Sequence, residues 1–216
     1  MHYRLIPNSF HFENLSLFNT SYRGLHMKNN TYENDVRILG GKFKGKLLPV
    51  LDVEGLRPTP SRVRETIFSW IKDSLGNAKV LDLFAGSGAL GLEAYSRGAK
   101  DVTLVELDKD NSSNLKEIAK SMSYDEIHVI NDDALHFLDN VSSTFNIVFI
   151  DPPYKLDIYE KVLEKLLDKN LIDDYSLIYV EMRNGSNKIV PGYEIIREEN
   201  AGQSKYSLWT KSKLLF

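Results

Sequence analysis

Apolar residues in this chain change their spacing along its length. From residue 79 onward, short apolar runs alternate with stretches in which apolar positions recur every three or four residues. The first pattern is that of buried strands, the second that of helices with one buried face. Val80-Leu81-Asp82-Leu83-Phe84 reads as a strand, residues 89–97 as a helix stopped by Gly98, and Val102-Thr103-Leu104-Val105-Glu106 as a second strand. A helix over 109–121 follows, then a strand over 127–130, a short helix over 134–138 and the β-rich run Phe145-Asn146-Ile147-Val148-Phe149-Ile150. Strands regularly separated by helices imply parallel βαβ units, with a sheet covered on both faces. The tail differs: 177–180, 193–197 and 206–210 are extended candidates with little helix between the last two, which predicts a closing antiparallel hairpin. Upstream, residues 36–50 read as two short extended runs around a Gly/Lys turn. Residues 58–70 read as a helix with Thr59 as N-cap and Pro60 at its first position. The expected organisation is a flexible extension over 1–35, a hairpin-plus-helix module over 36–75 and an α/β domain over 76–216.

Composition narrows the classes. A chain of 216 residues with 42% hydrophobic content can build one sizeable core, or one core and a small appendage. No apolar stretch approaches the roughly 18 residues that a membrane span requires, so no membrane insertion is expected. The absence of cysteine excludes disulfides and cysteine-ligated zinc or iron–sulfur sites, and fits a reducing cytoplasm. It also excludes base methylation at pyrimidine carbon 5 by a cysteine nucleophile. The first 30 residues lack a secretory apolar segment, contain Glu13 as their one acid, and read as a transit-type leader or as residues upstream of a true start at Met27.

The formal net charge of −3 conceals an asymmetry. Residues 36–72 carry eight basic side chains against Asp52, Glu54 and Glu65, a net +5, and the remainder carries −8. A basic module before an acidic body is the distribution expected when one part meets phosphates, although a merely solvated face gives the same count. Glycines and an aromatic interleave the charges in Gly40-Gly41-Lys42-Phe43-Lys44-Gly45-Lys46. The expected RNA contacts are Arg37, Lys42, Lys44, Lys46, Arg57, Arg62 and Arg64.

In a doubly wound sheet a ligand sits at the carboxyl ends of the central strands, where turn amides and helix N-termini point outward. The candidate turn is Phe84-Ala85-Gly86-Ser87-Gly88-Ala89-Leu90-Gly91, whose glycines let backbone approach a ligand with no Cβ in the way. Glu106 closes the second strand 20 residues after Gly86, placed to accept hydrogen bonds from two ribose hydroxyls, and Leu107 follows it. The spacing Gly86-x-Gly88-x-x-Gly91 with a downstream acid fits NAD as well as S-adenosylmethionine. Asp82 tilts the choice to the latter, because an acid before the loop suits a cationic amino group and repels a pyrophosphate. Its alternative role is a structural acceptor for loop amides. Asp133, or Asp132 beside it, can accept from an adenine amino group, and either can cap the helix that Ala134 begins. The candidate cofactor contacts are thus Asp82, Phe84, Gly86, Gly88, Glu106, Leu107, Asp133 and Ala134, with no metal.

The run 147–150 delivers Asp151-Pro152-Pro153-Tyr154 to the same sheet edge. The prolines fix the backbone and remove N–H donors, so this loop presents carbonyls and a carboxylate as acceptors and Tyr154 as a flat face. An exocyclic amine on a nucleic-acid base has the complementary parts: two N–H donors, a ring to stack, and a lone pair that can be turned toward a sulfonium methyl. Catalysis of that kind needs orientation rather than a nucleophilic side chain or a metal. The base must leave its stack, which is easiest in single-stranded or loop RNA.

The chain resembles the RsmD family of bacterial small-subunit (16S) rRNA guanine-N2 methyltransferases from residue 36 to its end. The resemblance is carried by Arg37-Ile38-Leu39-Gly40-Gly41, Leu56-Arg57-Pro58-Thr59 with Arg62-Val63-Arg64-Glu65-Thr66, the glycine turn through Leu92-Glu93-Ala94, Asp151-Pro152-Pro153-Tyr154, and Ala201-Gly202-Gln203. It implies a Rossmann-like class I fold, with a mostly parallel seven-stranded sheet, a C-terminal antiparallel hairpin and a small basic N-terminal hairpin/helix module. It further implies S-adenosylmethionine as methyl donor and one guanine N2 in a hairpin loop of 16S rRNA as acceptor, within the small ribosomal subunit or an assembly intermediate. A cytoplasmic monomer is expected. The head over 1–35 departs from the family pattern. The alternatives are an adenine-N6 DNA enzyme, for which no room is left for a target-recognition domain; an NAD oxidoreductase, which leaves 151–154 unexplained; and a non-catalytic RNA-binding assembly factor.

Overall fold

Two short strands, β1 (Val36–Arg37) and β2 (Leu47–Leu48), pair antiparallel around the Gly/Lys turn in the computed structural model. The structure describes residues 35–51, 59–123, 125–153, 155–186 and 190–212, so all of the expected extension over 1–35 except Asp35 lies outside the described residues. Helix α1 (Ser61–Trp70) follows, later than the sequence predicted. Pro60, with extended backbone at φ −56° and ψ 145°, occupies the cap position, and no side chain caps the helix. Thr59 is therefore not the N-cap; its hydroxyl reaches instead to Asp151, 92 positions along the chain.

The alternating segment forms β3 (Lys79–Asp82), α2 (Ala89–Ser96), β4 (Asp101–Glu106), α3 (Lys109–Lys120), β5 (Ile127–Asn131), α4 (Ala134–Asn140) and β6 (Ile147–Ile150). Leu83 and Phe84 lie beyond the first of these strands because the chain leaves the sheet at Asp82 to enter the glycine turn. Helix α5 (Tyr159–Asp168) then buries Tyr159, Val162, Leu163 and Leu166, an i, i+3, i+4, i+7 stripe. Strands β7 (Leu177–Arg183), β8 (Tyr193–Ala201) and β9 (Ser204–Lys211) complete the sheet.

The seven strands run in the order β5-β4-β3-β6-β7-β9-β8, parallel from β5 to β7 and antiparallel where β9 meets β7 and β8. This is the Rossmann-like α/β sheet, closed by the antiparallel hairpin. From β3 the chain builds outward through β4 and β5, then returns to build the other way through β6 and β7. The point of reversal lies between β3 and β6, and ligands bind at the carboxyl ends of strands there.

One sheet face packs Val80, Leu104, Phe149 and Tyr179 against Leu92 of α2, Leu115 of α3 and Ile67 and Phe68 of α1. Ile38 and Leu48 from the hairpin enter that same core. The opposite face buries Leu81, Val148, Ile150 and Val180 beneath Leu138 of α4 and Val162, Leu163 and Leu166 of α5. The segment 36–75 thus shares its core with the α/β domain, and residues 32–216 form one compact unit.

Glu93 on α2 fastens that junction. Its fully buried carboxylate accepts the N–H groups of Leu39 (2.7 Å) and Gly40 (2.8 Å), Arg97 Nε (2.7 Å) and Arg64 Nη1 (3.5 Å).

Candidate active site

The turn from β3 into α2 needs its glycines. Gly86 and Gly88 have φ of +52° and +73°, in the left-handed region where a Cβ is strained. A Cβ on Gly88 would also meet Leu115 and Leu92 side chains at 2.8 Å. At Gly91 the helix lies so close to β3 and β4 that a Cβ would stand 2.3 Å from Leu104 Cδ2 and 3.2 Å from Asp82 Cβ. The Gly91 N–H donates to Asp82 Oδ2 at 2.9 Å, so this acid does support the turn from within. Burial pushes the Asp82 carboxyl up to about 7, the charge of Glu106 adds to the rise, and the Gly91 amide opposes it.

Glu106, at the carboxyl end of β4, faces the same turn. Its Oε2 accepts the Gly86 N–H at 2.9 Å and its Oε1 accepts the Asp108 N–H at 2.8 Å. Burial raises its pKa, with the Asp108 and Gly86 amides pulling the other way. Leu107 is 69% exposed at the strand end, an apolar face left in water. Asn111, in the first turn of α3, donates Nδ2 to Gly86 O at 2.6 Å and holds the turn from beneath. Its Oδ1 is buried without a hydrogen-bond partner among the described residues. At the end of β5, Asp133 caps α4 by accepting from Leu135 and His136 N–H at 2.9 and 3.1 Å. Asp132 engages His136 Nδ1 at 2.8 Å, and Ala134 is buried at the helix start. Phe84 is half-buried, packed toward the α4/α5 face.

Asp151, Pro152 and Pro153 leave the carboxyl end of β6 beside this turn. Asp82 pairs in register with Phe149, two positions before Asp151, and Leu83 N–H still bonds Phe149 O at 3.1 Å. Residues of equal parity share a sheet face, so Asp82 and Asp151 point the same way. On the other side Ile150 pairs with Val180, which sets Asp151 next to Glu181. Asp151 is half-buried; burial and the charges of Glu181 and Asp82 hold its carboxyl well above the ordinary range, while the Thr59 hydroxyl, donating to Oδ2 at 3.2 Å, lowers it. Glu181 is itself buried and accepts the Tyr179 hydroxyl at 2.8 Å. Pro152 is buried, Pro153 is exposed, and Tyr154 lies outside the described residues. Among the described residues no cluster of His, Asp and Glu is arranged to hold a metal.

The basic module presents some of its expected contacts to solvent. Lys42, Lys44 and Arg62 are exposed, and Lys42 Nζ sits 5.3 Å from the centroid of the Phe43 ring. Backbone bonds from Lys42 N to Ser96 O (2.7 Å) and from Phe43 N to Ser96 Oγ (2.9 Å) fasten this loop to the end of α2. Arg37 is exposed but donates to Gly45 O at 3.0 Å, Lys46 is half-buried, and Arg57 lies outside the described residues. Arg64 requires correction. It is 2% exposed, and its guanidinium donates to Thr59 O (3.2 Å), Arg37 O (3.0 Å) and Glu93, which leaves it a structural cation with no face for a phosphate. Burial lowers its pKa and the Glu93 charge opposes that.

The model of the family described as Conserved hypothetical protein 95 matches residues 36–210. The chain belongs to that family. It is 40% identical over 185 residues to the ribosomal RNA small subunit methyltransferase D of Escherichia coli K12, covering 85% of this chain and 93% of that protein. The protein of the same description from Haemophilus influenzae is 39% identical over 182 residues, 82% and 94% of the two chains. A solved structure of a putative methyltransferase from Escherichia coli matches with a TM-score of 0.76 at 39% identity, over 82% of this chain and 98% of that one. The resemblance to RsmD proteins is therefore borne out.

Three residues at this candidate site escaped sequence reasoning. Glu181 was visible as the acid that ends an apolar run, the same signal that singled out Glu106. Asn111 carries no signal beyond its place in a helix start. Thr59 carries the signal of a helix cap, a threonine before proline, and so its sequence context points away from Asp151.

Proposed function

We propose that this protein transfers a methyl group from S-adenosylmethionine to the exocyclic N2 of a guanine in small-subunit ribosomal RNA. The observation that carries the proposal is the Asp151-Pro152-Pro153 loop at the point of strand reversal, beside a glycine turn that an acid serves from either side. The names of relatives at 39–40% identity support rRNA as the acceptor.

The residues present fit the cofactor. The Glu106 carboxylate, with lone pairs beyond the two amide bonds it accepts, suits the ribose hydroxyls. The exposed Leu107 side chain suits the flat adenine, and Asp133 or Asp132 its amino group. Asp82 supplies negative charge where the cofactor's amino cation would stand, and Gly86 and Gly88 keep the approach open. When bound, S-adenosylmethionine supplies a methyl group already activated by its sulfonium charge.

The chain's own work is orientation. Asp151 and the Pro152 carbonyl accept the two N–H bonds of the amine, which turns the nitrogen lone pair out of conjugation with the ring. Tyr154 supplies a stacking face. The proton lost when nitrogen gains the methyl passes to the Asp151 carboxylate, whose raised pKa suits it to take one. Exposed Lys42, Lys44 and Arg62 fix the RNA backbone, with Arg37 and Arg57 as further phosphate contacts. The substrate is the small subunit or an assembly intermediate, the enzyme acts as a monomer in the cytoplasm, and the segment 36–75 serves as its RNA-contacting part.

Replacing Asp151 by Ala should lower transfer about 10²–10³-fold, the cost typical of losing one oriented polar group at a reacting centre, with S-adenosylmethionine affinity changed less than about threefold. Transfer is measured as tritium incorporated into rRNA, followed by nucleoside mapping of rRNA from cells with and without the gene. Wild-type turnover in that variant, or a methyl mapped to adenine N6, would refute the proposal.

A further inference from the structure

Among the described residues, Thr59 Oγ1 is the donor that the structure places on the Asp151 carboxylate, at 3.2 Å. The other groups around that carboxylate are unfavourable to its charge. Glu181 faces it from β7 and Asp82 from β3, and the Tyr179 hydroxyl on β7 is turned to Glu181. An aspartate carboxylate rotates easily about its last torsion, which has broad wells, so a single fixed donor decides where its two oxygens point.

Thr59 is itself fixed. It is 8% exposed, and its carbonyl accepts Arg64 Nε at 3.2 Å. The Arg64 guanidinium in turn reaches Arg37 O at 3.0 Å and Glu93 Oε2 at 3.5 Å. A continuous polar chain, Glu93–Arg64–Thr59–Asp151, thus joins α2, the start of α1 and the end of β6. From this geometry we infer that Thr59 is a positioning residue: its hydroxyl fixes the rotation of Asp151 so that the carboxylate meets the N–H of the acceptor amine. The inference rests on the assignment of Asp151 made under Proposed function. It gives the segment before α1 a part in the chemistry as well as in contacting RNA.

The test compares wild-type protein with Thr59→Val, Thr59→Ser and Asp151→Ala, using small ribosomal subunits from cells lacking the gene as substrate. Thr59→Val keeps the side-chain shape and loses the donor. It should lower kcat about 10- to 100-fold, the scale of a modest misplacement at a reacting centre, while KM for both substrates stays within about twofold. Thr59→Ser, which retains a hydroxyl, should recover kcat to within about threefold of wild type. Because the hydroxyl favours the ionised carboxylate, its loss should also move the acid limb of the kcat–pH profile to higher pH, a readout that damaged packing alone would leave in place. Should Thr59→Val unfold, Thr59→Ala, which also removes the donor, takes its place beside Thr59→Ser: the Ala variant should show the lowered kcat and the raised acid limb that Ser does not, and an Ala variant with wild-type kcat and an unmoved acid limb would overturn the inference. Equal loss in the Ser and Val variants, wild-type kcat in Val, or an unmoved acid limb in Val would overturn the inference while Asp151→Ala remains inactive. Full activity in Asp151→Ala would instead remove the reading of the loop, and the inference with it.

Discussion

Replacing Glu93 by Ala is the perturbation whose size the structure defines best. The side chain is fully buried on α2, and its loss strands Arg64, a guanidinium that is 2% exposed. Removing one partner of a buried ion pair costs about 3–5 kcal/mol, because the other charge stays uncompensated. The Leu39 and Gly40 amides also lose their acceptor, at about 1–3 kcal/mol for each group left unsatisfied. These costs do not add, since Arg64 keeps its bonds to Thr59 O and Arg37 O and water can enter the vacated space. A net loss of about 4–5 kcal/mol is expected, which for a chain of this size lowers Tm by about 10–15 °C. Glu93→Gln, which keeps the shape and one acceptor but not the charge, should fall between that variant and wild type. Thermal unfolding followed by circular dichroism, with urea midpoints as a second measure, reads both. S-adenosylmethionine affinity of the folded protein should be unchanged, because Glu93 bonds the hairpin side of α2 and not the glycine turn. A Tm within about 3 °C of wild type for Glu93→Ala would refute the reasoning.

The remaining predictions concern the cofactor and RNA faces. With Asp82 titrating at about 7 in the free protein and ionised in the complex, S-adenosylmethionine affinity should fall as pH drops, by about 25-fold between pH 7.5 and 5.5. Calorimetric titration should show a proton released on binding near pH 6, and a pH-flat affinity would contradict this role for Asp82. The same group has a stability consequence: its folded pKa lies above the ordinary carboxyl value of 3.8, so its burial costs stability increasingly as pH rises from about 4 to about 7. Gly91→Ala should destabilise by about 1–3 kcal/mol despite the better helix propensity of alanine, since its Cβ would stand 2.3 Å from Leu104 Cδ2; a Tm above wild type would count against that close packing. Replacing Lys42 and Lys44 together by Ala should reduce the slope of log affinity against log salt by about 1.4 for a single-stranded RNA loop, and filter binding with an unaltered slope would remove the assigned phosphate contacts.

Much of the sheet was legible because its buried strands are short and rich in β-branched residues, as at 147–150, and because Gly98 marks the end of the first helix between them. Helix α5 was not among the predicted elements, although its buried stripe at Tyr159, Val162, Leu163 and Leu166 carries the helical period. Strand β8 extends to Ala201, beyond the expected end at Arg197, since its second half, Glu198-Glu199-Asn200, is an exposed polar edge with no apolar alternation to read. At the site, Glu106 and the glycine turn could be placed from strand ends alone. Arg64 could not be placed, because a count of charges along the chain does not distinguish an arginine facing water from one enclosed by Glu93 and backbone carbonyls. The hydroxyl of Thr59 on Asp151 depends on a contact across 92 positions, for which no local spacing exists.

The shared core of the hairpin, α1 and the sheet bears on how a target is chosen. A grip mounted on a hinge can adapt to many shapes; one cast in the same block as the reacting pocket is a gauge with a set gap. Lys42 and Lys44, fastened through Ser96 to α2, stand at a constant offset from the end of β6. If Lys42 and Lys44 make the proposed phosphate contacts, the nucleotide chain must bend to fit the gauge, and a loop already curved to that span reaches the pocket at the least deformation cost.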